Sequence, residues 1–202
     1  AFTGLQYDLA SHAEAPVARK RAQLLLDLLT PVAKSFGAEW GFESNALAVQ
    51  IHGGYGYSSE YLPEAWLRDQ KLNTIHEGTT GIQGMDLLGR KVVAQGGEPL
   101  RLLREEIAAA CEQAAAVGLD GEGLLTALAT VEQLTLHLAR LGLRGEVDTM
   151  MLHSTDYLTL FSILVVGWQW LRQATVAKRR EDDDFYRGKI AANAYWAANE
   201  LT

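Results

Sequence analysis

The chain has 202 residues, of which 48% are apolar, with a formal net charge of −7 and one cysteine. That is enough for one large domain or two small ones with a sizeable core. The acidic balance disfavours nucleic acid or an anionic membrane as the main partner, since both need a basic footprint. Cys111 has no partner for an intrachain disulfide, which fits a reducing, cytoplasmic setting.

Taken in order, the first residues, Ala1-Phe2-Thr3-Gly4-Leu5, have neither the basic nor the apolar region of a signal peptide. They read as an internal segment of a longer protein. A first helix is expected over residues 16–36, with Val17, Leu24, Leu25, Leu28, Leu29 and Val32 on one apolar stripe. Pro16 suits its first turn, and Thr30-Pro31 should kink it or divide it in two. A second helix, 38–52, carries Trp40, Leu47, Ala48 and Ile51 and stops at Gly53-Gly54. Residues 53–61 form a loop rich in glycine and tyrosine. It follows a helix rather than a strand, so it is no dinucleotide fingerprint.

A short helix is expected from 62 or 63 to about 72, then a central helix over 79–94 with Ile82, Met85, Leu88, Val92 and Val93 facing inward. Gln95-Gly96-Gly97-Glu98-Pro99 is the clearest linker. Beyond it, helices are expected over 100–117, 121–143, 148–180 and 182–201. At the last junction Lys178-Arg179-Arg180 suits a helix C-terminus and Glu181-Asp182-Asp183-Asp184 the next N-terminus, a better reading than an acidic metal site. Residues 157–171 are nearly all apolar but too short for a membrane span, and they read as a buried bundle helix in which Trp168 and Trp170 pack. Cys111 reads as a small buried hydrophobe. No stretch sustains a period of two, so the expected fold is all-α: a helical bundle over 1–95 followed by a bundle-like extension over 96–202.

The stretch Ile75-His76-Glu77-Gly78-Thr79-Thr80-Gly81-Ile82-Gln83 places a carboxylate beside a glycine where a helix begins. The free N–H groups of a first turn make that a place for an oxyanion or phosphate. Structure alone also accounts for it: the macrodipole favours an acid there by about 0.3–1 kcal/mol, and Thr80-x-x-Gln83 fits a capping box. Taken alone, the stretch favours structure over catalysis. His76-Glu77 lacks the second histidine of a zinc protease helix, the five histidines do not cluster, and no metal site is expected. There is no glycine-flanked nucleophilic serine and no P-loop.

The run from Ala48 through Gln50-Ile51-His52-Gly53-Gly54 to Tyr57, then Glu60-Tyr61, Arg68-Asp69, and Ile75-His76-Glu77-Gly78-Thr79 with Ile82-Gln83, resembles the C-terminal signature of the acyl-CoA dehydrogenase family. Both blocks stand in order and at family spacing. The wording of residues 75–90, with a long helical tail after it, resembles the subgroup with an extra C-terminal domain. The resemblance implies that Glu77 is the base that removes the α-proton of an acyl-CoA thioester while a β-hydride passes to FAD. One donor to the thioester oxygen would be the base residue's own N–H, and Gly78 would keep the backbone close to substrate. It places Thr79, Thr80 and Gly81 against FAD, and Gln50, Ile51, His52, Gly53 and Gly54 against the adenosine part of an FAD held mainly by a partner subunit.

Glu60, Arg68 and Asp69 are expected to be structural. Ala65, His76 and Gly81 depart from the family's commoner residues, which bears on a local salt bridge and on FAD contacts but leaves the base in place. The resemblance further implies an electron-transfer flavoprotein as electron acceptor and a homodimer. It also implies a parent carrying an upstream helical and a β domain without which this segment would bind FAD poorly and be inactive. An acyl-CoA oxidase would share the base, and a helical oligomerisation module is the reading from another class. The Glu77 carboxylate is expected to point into a cleft fit for a thioester, with a free amide beside it.

Overall fold

The computed structural model describes residues 1–201, and among these every regular element is helical. In chain order they are α1 (Phe2–His12), α2 (Pro16–His52), α3 (Gly54–Tyr57), α4 (Leu62–Asn73), α5 (Thr80–Asp86), α6 (Glu98–Ala115), α7 (Glu122–Leu143), α8 (Val147–Met151), α9 (Ser154–Ala177) and α10 (Asp184–Asn199). The all-α expectation is met.

The long helix α2 differs from expectation. It runs unbroken for 37 residues, through Pro31, instead of dividing near Thr30-Pro31. An interior proline costs an isolated helix about 3 kcal/mol. Here Leu24, Leu25, Leu28, Leu29, Pro31 and Val32 are all buried. Each large aliphatic side chain fully buried is worth about 1.5–3 kcal/mol, so packing along the helix overrides the local penalty. The first and last parts of its apolar stripe are not used: Val17, Leu47 and Ile51 are exposed. A helix not anticipated from sequence, α1, packs on α2. Its Phe2 meets Trp168 edge-on at 4.8 Å, with the Arg172 guanidinium 4.9 Å from the Phe2 ring.

The expected central helix over 79–94 is also corrected. α5 ends at Asp86, and Leu87–Lys91 is a π turn in which the Val92 N–H donates to the Leu87 carbonyl at 2.9 Å. Of the five residues expected to face inward, Leu88 and Val92 are buried, while Ile82, Met85 and Val93 are exposed. The linker is left-handed at Gln95, Gly96 and Gly97, with φ of 48°, 73° and 88°, and turns the chain into α6.

Residues 148–180, expected as one helix, divide into α8, α9 and a 3₁₀ turn, Lys178–Arg180. The next junction closes as charge pattern implied. Lys178 pairs with Glu181 at 2.5 Å, Arg180 with Asp183 at 3.7 Å, and the Asp183 carboxylate caps α10 by accepting from the Phe185 N–H at 2.9 Å.

α9 is the bundle's central rod. Tyr157, Phe161, Leu164 and Trp168 on it are essentially inaccessible and join one apolar cluster with Leu28 of α2, Leu88 and Val92 of the π turn, Leu103 and Ile107 of α6, and Val131 of α7. Cys111 is buried, its thiol 3.7 Å from the Gly121 carbonyl and pushed up in pKa by burial first and by Asp120 second. No helix among the described residues is long and apolar enough to cross a membrane.

Candidate active site

One and a half turns of α2 form the platform on which the 75–83 stretch rests. Gln70 of α4 donates to the carbonyls of Gly37 and Ala38, both at 3.2 Å. It fits because Gly41 has no side chain; a Cβ there would stand 2.5 Å from the Gln70 amide nitrogen. The end of α4 is thereby tied to α2. On the other side the Thr80 hydroxyl, opening α5, bonds to the Glu39 carboxylate. Between the two ties lies the turn that carries the base predicted from sequence.

In that turn both Glu77 and Gly78 are left-handed, with φ of 55° and 91°. Glycine adopts this freely. A glutamate held there stores on the order of 1–3 kcal/mol of strain and keeps the conformation only if its surroundings enforce it. They do: the Gln83 side-chain amide donates to the Glu77 carbonyl at 3.1 Å, and the Lys34 ammonium donates to the Gly78 carbonyl at 2.5 Å. With both carbonyls captured, the N–H groups are left over. Among the described residues none of the Glu77, Gly78 and Thr79 amides has an acceptor. The capping expectation is corrected in detail. Thr79, not Thr80, is the N-cap, accepting from the Ile82 N–H at a long 3.5 Å, and Gln83 serves the turn instead of reaching back to the cap N–H.

The enclosure anticipated for the carboxylate is absent within residues 1–201. Glu77 is exposed, on the lip of an open hollow of about 410 Å³ shared with Lys34, Gln70, Asn73 and His76. Its walls are mostly polar, not the apolar surface an acyl chain would bury. His76 turns back on its own helix end, its Nδ1 2.7 Å from the Leu72 carbonyl.

The other residues singled out from sequence lie elsewhere. Gln50, Ile51, His52, Gly53 and Gly54 occupy the exposed C-terminal end of α2 and the turn after it, where Gly53 has φ of 58°. At 1.5 Å per residue they are about 24 Å along the axis from Lys34, so the chain does not bring the two groups into one pocket. Gly56 lets α3 fold back onto α2, since a Cβ there would meet the Val49 carbonyl at 2.4 Å. Exposed Arg68 pairs with half-buried Glu64 within α4 at 3.0 Å, so it does not pin the loop through Glu60. Thr80 is half-buried and committed to Glu39, while a Cβ at Gly81 would meet only the Thr79 hydroxyl, at 4.0 Å. Lys34, Glu39 and Gln70 were not marked by sequence reading; nothing in a helical stripe reveals which polar residue will meet a turn some forty positions on.

Comparison with known proteins bears on this arrangement. The family model described as acyl-CoA dehydrogenase, C-terminal domain, matches residues 5–92, and the one described as acetyl-CoA dehydrogenase C-terminal like matches 103–202. The chain is 34% identical to the 3-methylmercaptopropionyl-CoA dehydrogenase of Ruegeria pomeroyi, over 98% of this chain and 35% of that protein. It is 30% identical to a broad-specificity linear acyl-CoA dehydrogenase of Mycobacterium tuberculosis, over 90% of this chain and 32% of that protein. A caffeyl-CoA reductase–Etf complex subunit of Acetobacterium woodii is 48% identical over 58 residues, 29% of this chain and 15% of that protein. The chain belongs to the acyl-CoA dehydrogenase family, as its motifs implied. It spans about a third of the length of the first two relatives.

Proposed function

We propose that this chain supplies the C-terminal helical part of a flavin-dependent acyl-CoA dehydrogenase, with Glu77 as the base that takes the α-proton of an acyl-CoA thioester. The observation that carries this reading is the 77–79 turn: a carboxylate on a left-handed backbone beside amides that no group among the described residues accepts from. The α-proton of a thioester is only weakly acidic, so a base works on it only where fixed donors meet the charge that develops on the carbonyl oxygen. The Glu77 N–H is such a donor, already free. Gly78 leaves room for the thioester to approach. FAD, when bound, supplies the hydride acceptor. The chain offers it open backbone at Gly53, Gly54 and Gly81, where a Cβ would meet no crowding atom, and the first-turn amides of Thr80 and Gly81. Those features fit a polar cofactor edge.

Glu77 is exposed in this chain, and a carboxylate in water is a poor match for such a proton. Residues outside this chain would therefore have to cover the hollow and exclude water in the intact protein, and this segment alone would be inactive. The separation of the two glycine-containing groups fits a homodimer in which Gln50 to Gly54 serve a flavin held by the partner subunit. Exposed Leu47, Ile51, Tyr57 and Trp66 near that end provide apolar surface for such a contact. Residues 1–95 are read as the part carrying the base, and 96–202 as a helical extension that buttresses it. An electron-transfer flavoprotein is the proposed electron acceptor, in keeping with the name of the relative from an Etf complex, and a cytoplasmic location is the proposed setting.

The test is Glu77→Gln in the intact flavoprotein that carries this segment. The variant keeps its yellow colour and loses bleaching by acyl-CoA, with a rate loss of at least about 10²-fold for removal of a general base. Bleaching at the unaltered rate would refute the assignment.

A further inference from the structure

The Lys34 ammonium sits 44 residues upstream of the turn, on a different helix, and donates to the Gly78 carbonyl at 2.5 Å. It shares the open hollow with Glu77, and its hydrogen bond among the described residues goes to that backbone carbonyl rather than to a carboxylate. Its one protein partner is a backbone oxygen. That oxygen belongs to the Gly78–Thr79 peptide. The Gln83 bond to the Glu77 carbonyl likewise engages the Glu77–Gly78 peptide, from the helix that follows. Each captured carbonyl leaves its peptide's N–H on the opposite side, without an acceptor among the described residues. A donor on a carbonyl also polarises the whole peptide and strengthens its N–H, and a charged donor does so more than a neutral one.

From this geometry we infer that Lys34 is a positioning residue for the base: it clamps the Gly78 carbonyl and so holds Glu77 and Gly78 in the left-handed turn that sets the place of the carboxylate. The inference rests on the reading of Glu77 as the base. Lys34 itself touches neither proton nor thioester. Gln83 is the weaker, neutral half of the same clamp, and the Thr80–Glu39 bond fixes the end of α5 against the same stretch of α2. Lys34 and Glu39 lie five positions apart on one rigid helix, so the turn is gripped by a single element on both of its sides.

The experiment has two arms. Gly78-Thr79 is the only Gly-Thr step in the 202-residue sequence, so carbonyl labelling of glycine with nitrogen labelling of threonine gives one NMR cross-peak that reports this peptide. In Lys34→Met the Gly78 carbonyl resonance moves upfield as the donor is lost; in Lys34→Arg, which keeps a charged donor, it stays near its original position. In the intact flavoprotein Lys34→Met keeps the visible flavin spectrum but slows acyl-CoA-dependent reduction by about 10- to 100-fold, the range expected when a reacting group is misplaced by about an ångström. Lys34→Arg restores most of that rate. An unmoved resonance in Lys34→Met overturns the clamp, whatever Glu77→Gln does. A moved resonance with an unaltered reduction rate overturns the positioning role. Retention of bleaching by Glu77→Gln would overturn instead the function on which the inference rests.

Discussion

At the scale of single residues, backbone geometry shapes the proposed site. Glu77 sits at a φ that an L-residue rarely adopts, and side chains from α2 and α5 hold it there. The identity of the proposed base was legible from the motif, and its neighbour Gly78 from the same words. The donors that enforce the turn were not, because Lys34 meets Gly78 only through the fold. A second residue pair behaves in a way that can be measured. In the core the Thr135 hydroxyl donates to the Val131 carbonyl at 2.7 Å, so in its 2.6 Å contact with Tyr157 the phenol must be the donor. Burial pushes the Tyr157 phenol up to about 12.

The folded chain therefore holds that proton more tightly than the unfolded one. The stability this contributes is complete below the ordinary tyrosine value of 10.0 and is lost as pH rises toward 12. Tyr157→Phe costs about 1 kcal/mol at neutral pH by removing the bond. Between pH 10 and 12 the parent chain loses stability more steeply than the variant. Urea titrations across that range check it, and parallel slopes for the two proteins would count against a buried, neutral phenol.

At the scale of elements, helix ends and helix contacts follow different rules. The stops at Gly53 and at the 95–97 linker, and the charged junction at 178–184, were readable because glycine conformations and charge at helix ends are local properties. The unbroken α2 and the π turn after α5 were not. Pro31 survives because its neighbours are buried, and a helical stripe does not say what will bury it. The contact of α5 with α9 shows what fixes the turn from behind. Gly84 presses against the first turn of α9, where a Cβ would stand 2.6 Å from the Ser154 carbonyl oxygen. A backbone atom cannot swing aside as a side chain can. Gly84→Ala therefore destabilises the chain by about 1–3 kcal/mol through overpacking, despite alanine's better helix propensity. The midpoint of urea unfolding is the check, and a variant at least as stable as the parent would show that α5 and α9 are not packed this closely.

At the scale of the whole molecule, the family models divide the chain near residues 92–103, where sequence also placed a linker. Burial does not pause there. Leu28, Leu88 and Val92 from the first part lie in one cluster with Leu103, Ile107, Phe161 and Trp168 from the second, and a shared core couples the two parts. The 202-residue chain is expected to unfold in a single transition, with circular dichroism and tryptophan fluorescence tracing the same curve. Two separated transitions would mean that 1–95 and 96–202 are stable independently.

By itself the sequence determined the fold class, the family, the linker, the charged helix junction and the identity of the proposed base, because helical period, glycine stops and an ordered motif are written in neighbouring residues. Only the tertiary structure decided that α2 runs through its proline, that the turn at 77–78 is left-handed, and that Lys34, Gln83 and Glu39 hold it, leaving amides open beside an exposed carboxylate. Those features depend on which distant surfaces exclude water together, and a linear pattern records each surface but not its partner.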